Sequence, residues 1–282
     1  MYYGSSPIAL PLGVALILLA LLYSLAWYHA RKDFPNSVWR LVAFLIGLIS
    51  IAGVWTTPLA KLDHHSLTAH MLQHLVLMTV AAPLIVLGRP GIILRHSLPQ
   101  FICHISDQLI QYAPIHALGR LSAQPVLCWF AGTGCVLLWH VPALFELGMR
   151  SESWHAFEQA TFLAAGLLFW LPVVQQGSAT KCPRWPIPLY LFLATLPCDA
   201  LSAFLTFCGR VVYSSYISGP GVFDSSALRD QEFAGAMMWV WVTFVYLVPA
   251  VMIAIRGLSG REPLLSRVAL QTKPDSHRAE AV

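Results

Sequence analysis

Seven long apolar runs constrain this chain more than any other feature of its sequence. The first, from Ile8 to Tyr28, is long enough to cross a hydrocarbon core of roughly 30 Å as a helix that rises about 1.5 Å per residue. The other runs, each bounded by charged or Pro/Gly-rich turns, cover residues 39–56, 66–88, 125–145, 154–174, 188–208 and 233–255. We therefore predict an all-α polytopic membrane protein with seven transmembrane helices.

The composition agrees with this prediction and excludes an ordinary soluble domain. Of the 282 residues, 57% are hydrophobic and 11% are charged, against roughly a quarter charged in soluble domains. We expect residues 1–265 to form a single transmembrane domain, residues 266–282 to form a polar cytoplasmic tail, and the chain to have no nucleic-acid partner. The start of the chain, residues 1–7, carries no charged side chain, so the first run is expected to be a permanent span rather than a cleaved signal peptide.

The distribution of basic residues predicts the orientation in the membrane. Thirteen Lys and Arg residues fall in the segments on one side of the predicted spans, and the other side has only Lys61, Arg150, Arg210 and Arg229. Cytoplasmic segments carry the excess of positive charge. We therefore expect the N-terminus outside and the C-terminus in the cytoplasm.

The longest predicted cytoplasmic segment, residues 89–124, shows an amphipathic pattern. Its apolar side chains recur at helical spacing among polar ones, at Phe101, Ile102, Ile105, Leu109 and Ile110. This pattern predicts an interfacial helix that lies on the membrane between spans three and four.

Histidines are concentrated where the third span begins. His70 and His74 are four residues apart and share one helix face. Imidazoles in this arrangement can bind one metal ion, and ionisable groups inside a span are costly enough to be functional candidates. A neutral pair of hydrogen-bonded histidines between helices is the alternative.

The predicted topology brings further polar motifs to the same extracytoplasmic layer. His140 lies near the outer end of span four, and His155 and Glu158 lie one turn apart at the start of span five. The predicted metal ligands are His70, His74, His140 and His155. Side chains expected to orient these ligands or to guide the ion inward are His64, His65, Glu158, Asp230, Gln231, Met237 and Met238. Converging polar groups at helix ends indicate a binding site.

The types of ligand limit the choice of metal ion. Imidazole suits copper, zinc and iron, and the thioethers of Met237 and Met238 would favour Cu(I); packing is the alternative role for both methionines. The six cysteines form no CxxC or CxxxC pair, so neither a disulfide framework nor a thiolate metal site is indicated. Asp199, in the middle of span six, is either part of a proton or ion relay or an acid kept neutral by burial.

Five motifs in this order resemble one family. They are Ser-Leu-Thr-Ala-His70-Met-Leu-Gln-His74; Ala-Ala-Pro-Leu-Ile-Val-Leu-Gly-Arg-Pro; Trp139-His140-Val-Pro142-Ala-Leu; Trp154-His155-Ala-Phe-Glu158 with Leu-Leu-Phe-Trp-Leu-Pro; and Asp230-Gln231-Glu-Phe-Ala-Gly-Ala-Met-Met-Trp. Across about residues 8–256 the chain is similar to the bacterial CtaG family, polytopic plasma-membrane assembly factors of caa3-type cytochrome c oxidase. Gln159 stands where some relatives carry His, which weakens any model that needs an HxxxH pair on span five.

The resemblance implies a non-enzymatic role in making an active haem–copper oxidase, with oxidase subunits as partners. We expect copper to bind at the His cluster and to be delivered from it. Two other functions stay open. One is a b-type haem or redox protein in which two of the histidines are axial ligands, and the other is a metal-free clamp for an oxidase subunit. A di-iron hydroxylase is disfavoured because such His-box enzymes usually face the cytoplasm.

Overall fold

Helices alone make up the regular structure in the part of the chain described by the computed structural model. The described residues are 9–32, 37–56, 62, 63, 65–97, 108, 119, 124–174, 186–217 and 226–259. The α-helices, numbered in chain order, are α1 (Ala9–Ala30), α2 (Val38–Thr56), α3 (Leu67–Val76), α4 (Ala82–Gly88), α5 (Pro90–Ser97), α6 (Pro125–Trp139), α7 (Pro142–Met149), α8 (Glu152–Val174), α9 (Pro186–Phe207) and α10 (Ala227–Ser259). A π-turn covers Leu77–Ala81 and a 3₁₀ turn covers Ser214–Tyr216.

The predicted all-α polytopic membrane fold is confirmed. Among the described residues, six helices are long and apolar enough to cross a membrane. A seventh span is present if α6 and α7, which meet at an angle of 78°, count as one. The third span is longer than predicted, because helical structure continues from Leu67 to Arg95.

The bend in the fourth span follows from its sequence. Pro142 has no backbone N–H and disfavours helical geometry at the residue before it. Val141 accordingly has extended dihedrals, with φ −65° and ψ 123°. His140 caps the end of α6, so the bend holds this histidine at a helix terminus.

A π-turn divides the third span into two halves. The N-terminal half, α3, carries the histidines, and the C-terminal, lower half consists of α4 and α5. The turn disturbs the regular ladder of backbone hydrogen bonds, and neighbouring side chains bind at the same place. Trp170 donates from Nε1 to the carbonyl of Met78 at 3.0 Å. Thr79 donates to the carbonyl of Leu75 at 2.6 Å and accepts from Trp241 Nε1 at 2.8 Å.

Close helix packing holds the lower half of this span in the bundle. Gly166 of α8 lies against Met78 and Ala82, and a Cβ atom there would come within 3.0 Å of the Met78 backbone. A larger residue at this position would require the two helices to move apart by a few tenths of an ångström. In contrast, α1 lies at the edge of the bundle, where only 11% of its apolar window is buried.

Several predictions fall on residues outside the described ranges. These are the interfacial helix around residues 101–110, of which only Gln108 is described, the tail 266–282 and the position of His64. The orientation of the bundle in the membrane also stays a prediction.

Candidate metal centre

The helix that carries His70 and His74 is fixed at its start by a carboxylate from α10. Ser66 is the N-cap of α3 and accepts from the backbone N–H of Ala69 at 3.4 Å. Asp230 accepts from the Ser66 hydroxyl at 3.0 Å and from the Leu67 backbone N–H at 2.7 Å. It also accepts from the Thr68 hydroxyl at 2.7 Å. Asp230, only 2% exposed, therefore supports the site by holding α3.

His70, His74 and Glu158 bring three possible ligand atoms together. The Nε2 atoms of the two histidines are 2.8 Å apart. Glu158 Oε1 lies 3.5 Å from His70 Nε2 and 3.3 Å from His74 Nε2. All three side chains are buried. We call these three residues the triad.

The triad has the dimensions of a metal site. Two ligands at tetrahedral angles, each about 2.0–2.1 Å from an ion, are separated by about 3.3 Å. The three separations in the triad are 2.8, 3.3 and 3.5 Å. A point about 2 Å from all three atoms therefore exists close to their plane, and a fourth ligand could complete the shell.

His140 has the chemistry of a further ligand. Its Nδ1 is 2.7 Å from the carbonyl of Val136, to which it must donate. The neutral ring then carries its lone pair on Nε2, which is buried and has no hydrogen-bond partner among the described residues. A lone pair fixed in this way is suited to metal binding.

His155 lies beside the triad and belongs to a polar network. Its ring stacks on that of His70 with centroids 5.2 Å apart. Asp63 Oδ2 is 3.5 Å from its Nδ1, and Gln159 Nε2 is 3.2 Å from its Nε2. Gln73 links the network by accepting from Gln159 at 2.6 Å and donating to Asp63 at 3.1 Å. These contacts orient His155 and set its distance from the triad.

The other oxygen of Glu158 lies against α7. Glu158 Oε2 is buried and makes no hydrogen bond to any described residue. A Cβ added at Gly148 would lie 2.5 Å from this oxygen. The absence of a side chain at Gly148 therefore leaves room for the Glu158 carboxylate.

Aromatic rings enclose the site. Phe162 stacks on His74 with centroids 4.0 Å apart, and Phe145 lies 5.0 Å from His70. Because these rings exclude water, the charge of a metal ion would interact strongly with the surrounding ligand atoms.

Two tyrosines from the segment after α9 form hydrogen bonds to backbone carbonyls at this end of the bundle. Tyr213 donates to the carbonyl of His140 at 3.1 Å, and Tyr216 donates to the carbonyl of Asp63 at 2.6 Å. Burial raises the pKa of both phenols, so both remain protonated donors at neutral pH. The sequence analysis missed these residues, together with Asp63 and Gln73.

The remaining predicted residues lie around the site or away from it. Gln231 ties down the segment after α9, accepting from the Val212 N–H at 2.7 Å and donating to the Arg210 carbonyl at 2.9 Å. Met238 is buried, whereas Met237 is half-buried and packs against the core. His65 is exposed.

Asp199 is separate from this cluster. It lies on α9 and accepts from the Thr243 hydroxyl at 3.4 Å. The structure therefore does not join it to the triad, and a relay through it stays a hypothesis.

Comparison with known proteins agrees with the resemblance in the sequence. The family model for the cytochrome c oxidase caa3 assembly factor, Caa3_CtaG, matches residues 21–259. Two curated relatives, "Uncharacterized protein Mb0105" of Mycobacterium bovis and "Uncharacterized protein MT0111" of Mycobacterium tuberculosis, are each 24% identical over 246 residues. The alignment covers 81% of this chain and 35% of each relative, so the chain spans about a third of their length. No solved structure matches. With most of its length matched by the family model, the chain belongs to the CtaG family of cytochrome c oxidase caa3 assembly factors.

Proposed function

We propose that this protein binds copper at the triad, with His140 as a further ligand, and helps deliver it to a haem–copper cytochrome c oxidase in a bacterial plasma membrane. The convergence of His70 Nε2, His74 Nε2 and Glu158 Oε1 carries the proposal. Two imidazoles suit copper, zinc, iron and nickel alike. Membership of an oxidase assembly family is what favours copper among them.

The proposed role is transfer rather than turnover. A carrier must bind copper tightly enough to collect it and weakly enough to release it. Imidazole and carboxylate ligands, without a cage of thiolates, fit that requirement. With the orientation predicted from the basic residues, the triad would exchange copper with the extracytoplasmic side.

A deletion strain complemented with variants tests this function. Without the protein, we expect oxidase subunits to be made but to have low activity and low copper content, and added copper should lessen the defect. Wild-type protein should restore both. Glu158→Gln should fail at low copper because it removes the anionic ligand, whereas Glu152→Gln, which changes an exposed carboxylate of the same helix, should succeed.

Three results would contradict the proposal. Normal oxidase activity in the deletion strain would remove the assembly role. Loss of haem from an oxidase with its full copper content would replace copper delivery by a haem-related role. Full complementation by Glu158→Gln at low copper would remove the triad as the copper site.

A further inference from the structure

A small cavity lies beside the triad and shares one of its ligands. It has a volume of about 30 Å³, and His74 and His140 both line it. A cavity above about 10–15 Å³ can hold a water molecule, so a single metal ion fits. The rest of the wall is almost entirely apolar.

Four sulfur-containing residues are among those that line this cavity. Met71, Met78, Met238 and Cys198 contribute to its wall and are each no more than 4% exposed. Met71 and Met78 come from two turns of the third span, and the other two residues come from α10 and α9. Four sulfur-containing residues from three parts of the bundle therefore line the same cavity as the two histidines.

The unpartnered imidazole nitrogens are a second and independent observation. His140 Nε2 and His74 Nδ1 are both buried without a hydrogen-bond partner in the described part of the chain. Buried polar atoms are nearly always satisfied in native proteins. Apolar packing alone leaves His140 Nε2 unexplained, but a metal ion in the cavity would be a partner for its lone pair. His74 Nδ1 carries the ring proton when His74 Nε2 binds a metal at the triad, so His74 is a wall residue of the cavity and not a ligand there.

The ligand set selects the type of ion. Thioether and imidazole ligands are neutral, and no carboxylate lines the cavity. A divalent cation would be poorly compensated there, since burying an unpaired charge is costly. Thioethers are soft ligands, which favour Cu(I) over zinc or Cu(II).

We propose that this cavity is a second metal site, specific for Cu(I), formed by Met71, Met78 and Met238 together with His140. The single lone pair of His140, on Nε2, would bind the ion in the cavity when that site is filled and would complete the triad only when it is empty. His74, a ligand of the triad, lies in the wall between the two sites. The assignment of copper as the physiological ion rests on the proposed function, but Cu(I) binding by these side chains can be measured separately. The protein would then have a Cu(I) site inside the bundle, next to a triad that can also bind harder ions.

Anaerobic Cu(I) titration of the full-length protein in detergent, against a chromophoric Cu(I) chelator, tests the proposal together with X-ray absorption of the bound copper. Wild-type protein should show sulfur neighbours at about 2.3 Å. Met238→Leu and Met71→Leu conserve side-chain volume and should each weaken Cu(I) binding about tenfold or more, with loss of sulfur scattering. Zinc affinity should not change, because zinc would bind at the triad.

Met237→Leu is the matched control. It removes a thioether one residue from Met238, but Met237 does not line the cavity. This variant should bind Cu(I) as the wild type does. Size-exclusion profiles and helical circular dichroism would establish that each variant is folded.

The outcomes separate this inference from the proposed function. Copper with only nitrogen and oxygen neighbours, or unchanged Cu(I) affinity in Met238→Leu and Met71→Leu, would show that the methionines serve packing only and would overturn the second site. The triad could still deliver copper in that case. A deletion strain with a normal oxidase would overturn the proposed function even if the Cu–S contacts are found.

Discussion

At the scale of single residues, the site depends as much on a missing side chain as on its ligands. Glu158 reaches His70 and His74 because Gly148 has no Cβ where its Oε2 lies. The same carboxylate makes no hydrogen bond through Oε2 to the described residues. The position of Oε2 is therefore set by the shape of its surroundings, which a substitution at Gly148 would change without replacing a ligand.

Gly148→Ala should weaken metal binding at the triad by about tenfold to a hundredfold, the range expected when support for a ligand is lost. The new Cβ would displace the end of the Glu158 side chain, which is flexible enough to move without unfolding the bundle. Gly134→Ala is the control, since an added Cβ at Gly134 has no neighbour within 4 Å. Zinc titration of both purified variants is the measurement. Equal affinities for the two variants would show that Gly148 does not position Glu158.

The sequence analysis identified most of the residues at this scale, but it could not assign their contacts. The spacing of His70 and His74 places them on one helix face in any helix. Glu158, predicted as a supporting residue, lies within 3.5 Å of both ring nitrogens, because α7 and α8 pack closely at Gly148. Asp63 was missed because it lies in the short segment between the second and third spans and carries no periodic signal.

At the scale of helices, α10 determines where α3 begins. The first N–H groups of a helix lack partners within it, and Asp230 supplies an acceptor from a segment 163 residues away in sequence. This contact couples the position of the two histidines to the seventh span. The sequence predicted that Asp230 would lie near the site, but not that it would cap the third span.

Asp230→Ala should therefore destabilise the bundle and loosen the triad. The Leu67 N–H and the Ser66 and Thr68 hydroxyls would lose an acceptor, and each buried donor left unpaired costs about 1–3 kcal/mol. We expect an apparent melting temperature several degrees lower in detergent, and weaker metal binding. Glu232→Ala, which removes a half-buried carboxylate two residues later, is the comparison. If both variants have the same melting temperature as the wild type, the cap contributes nothing to stability.

At the scale of the whole molecule, the hydropathy pattern predicted the spans because lipid imposes a minimum length on each. The bend at Val141 was not predicted, although Pro142 is its physical cause. The side of the membrane that each end of the bundle faces rests on the basic residues alone, and this orientation decides which compartment lies nearer to the triad.

Reporter fusions should place the chain's N-terminus and the segments 146–153 and 209–232 outside. A phosphatase that is active only outside the cytoplasm should give signal when joined within 209–232 and none when joined after residue 265. The reverse pattern would place the triad toward the cytoplasm and would exclude delivery from the outer side.

The π-turn at Leu77–Ala81 is equivalent to one extra residue inserted into a continuous helix. Each residue advances a helix by about 100°. Deleting one position here would therefore rotate the two halves of the span relative to each other by that angle. Either Ala82 and Val86 or the histidines would then turn away from the surfaces that they now contact. The insertion thus sets the rotational phase between the two halves of the span. Related chains that share the upper histidines but lack the insertion would need a different set of neighbours below them, and the presence of this single residue would divide such chains into two structural groups.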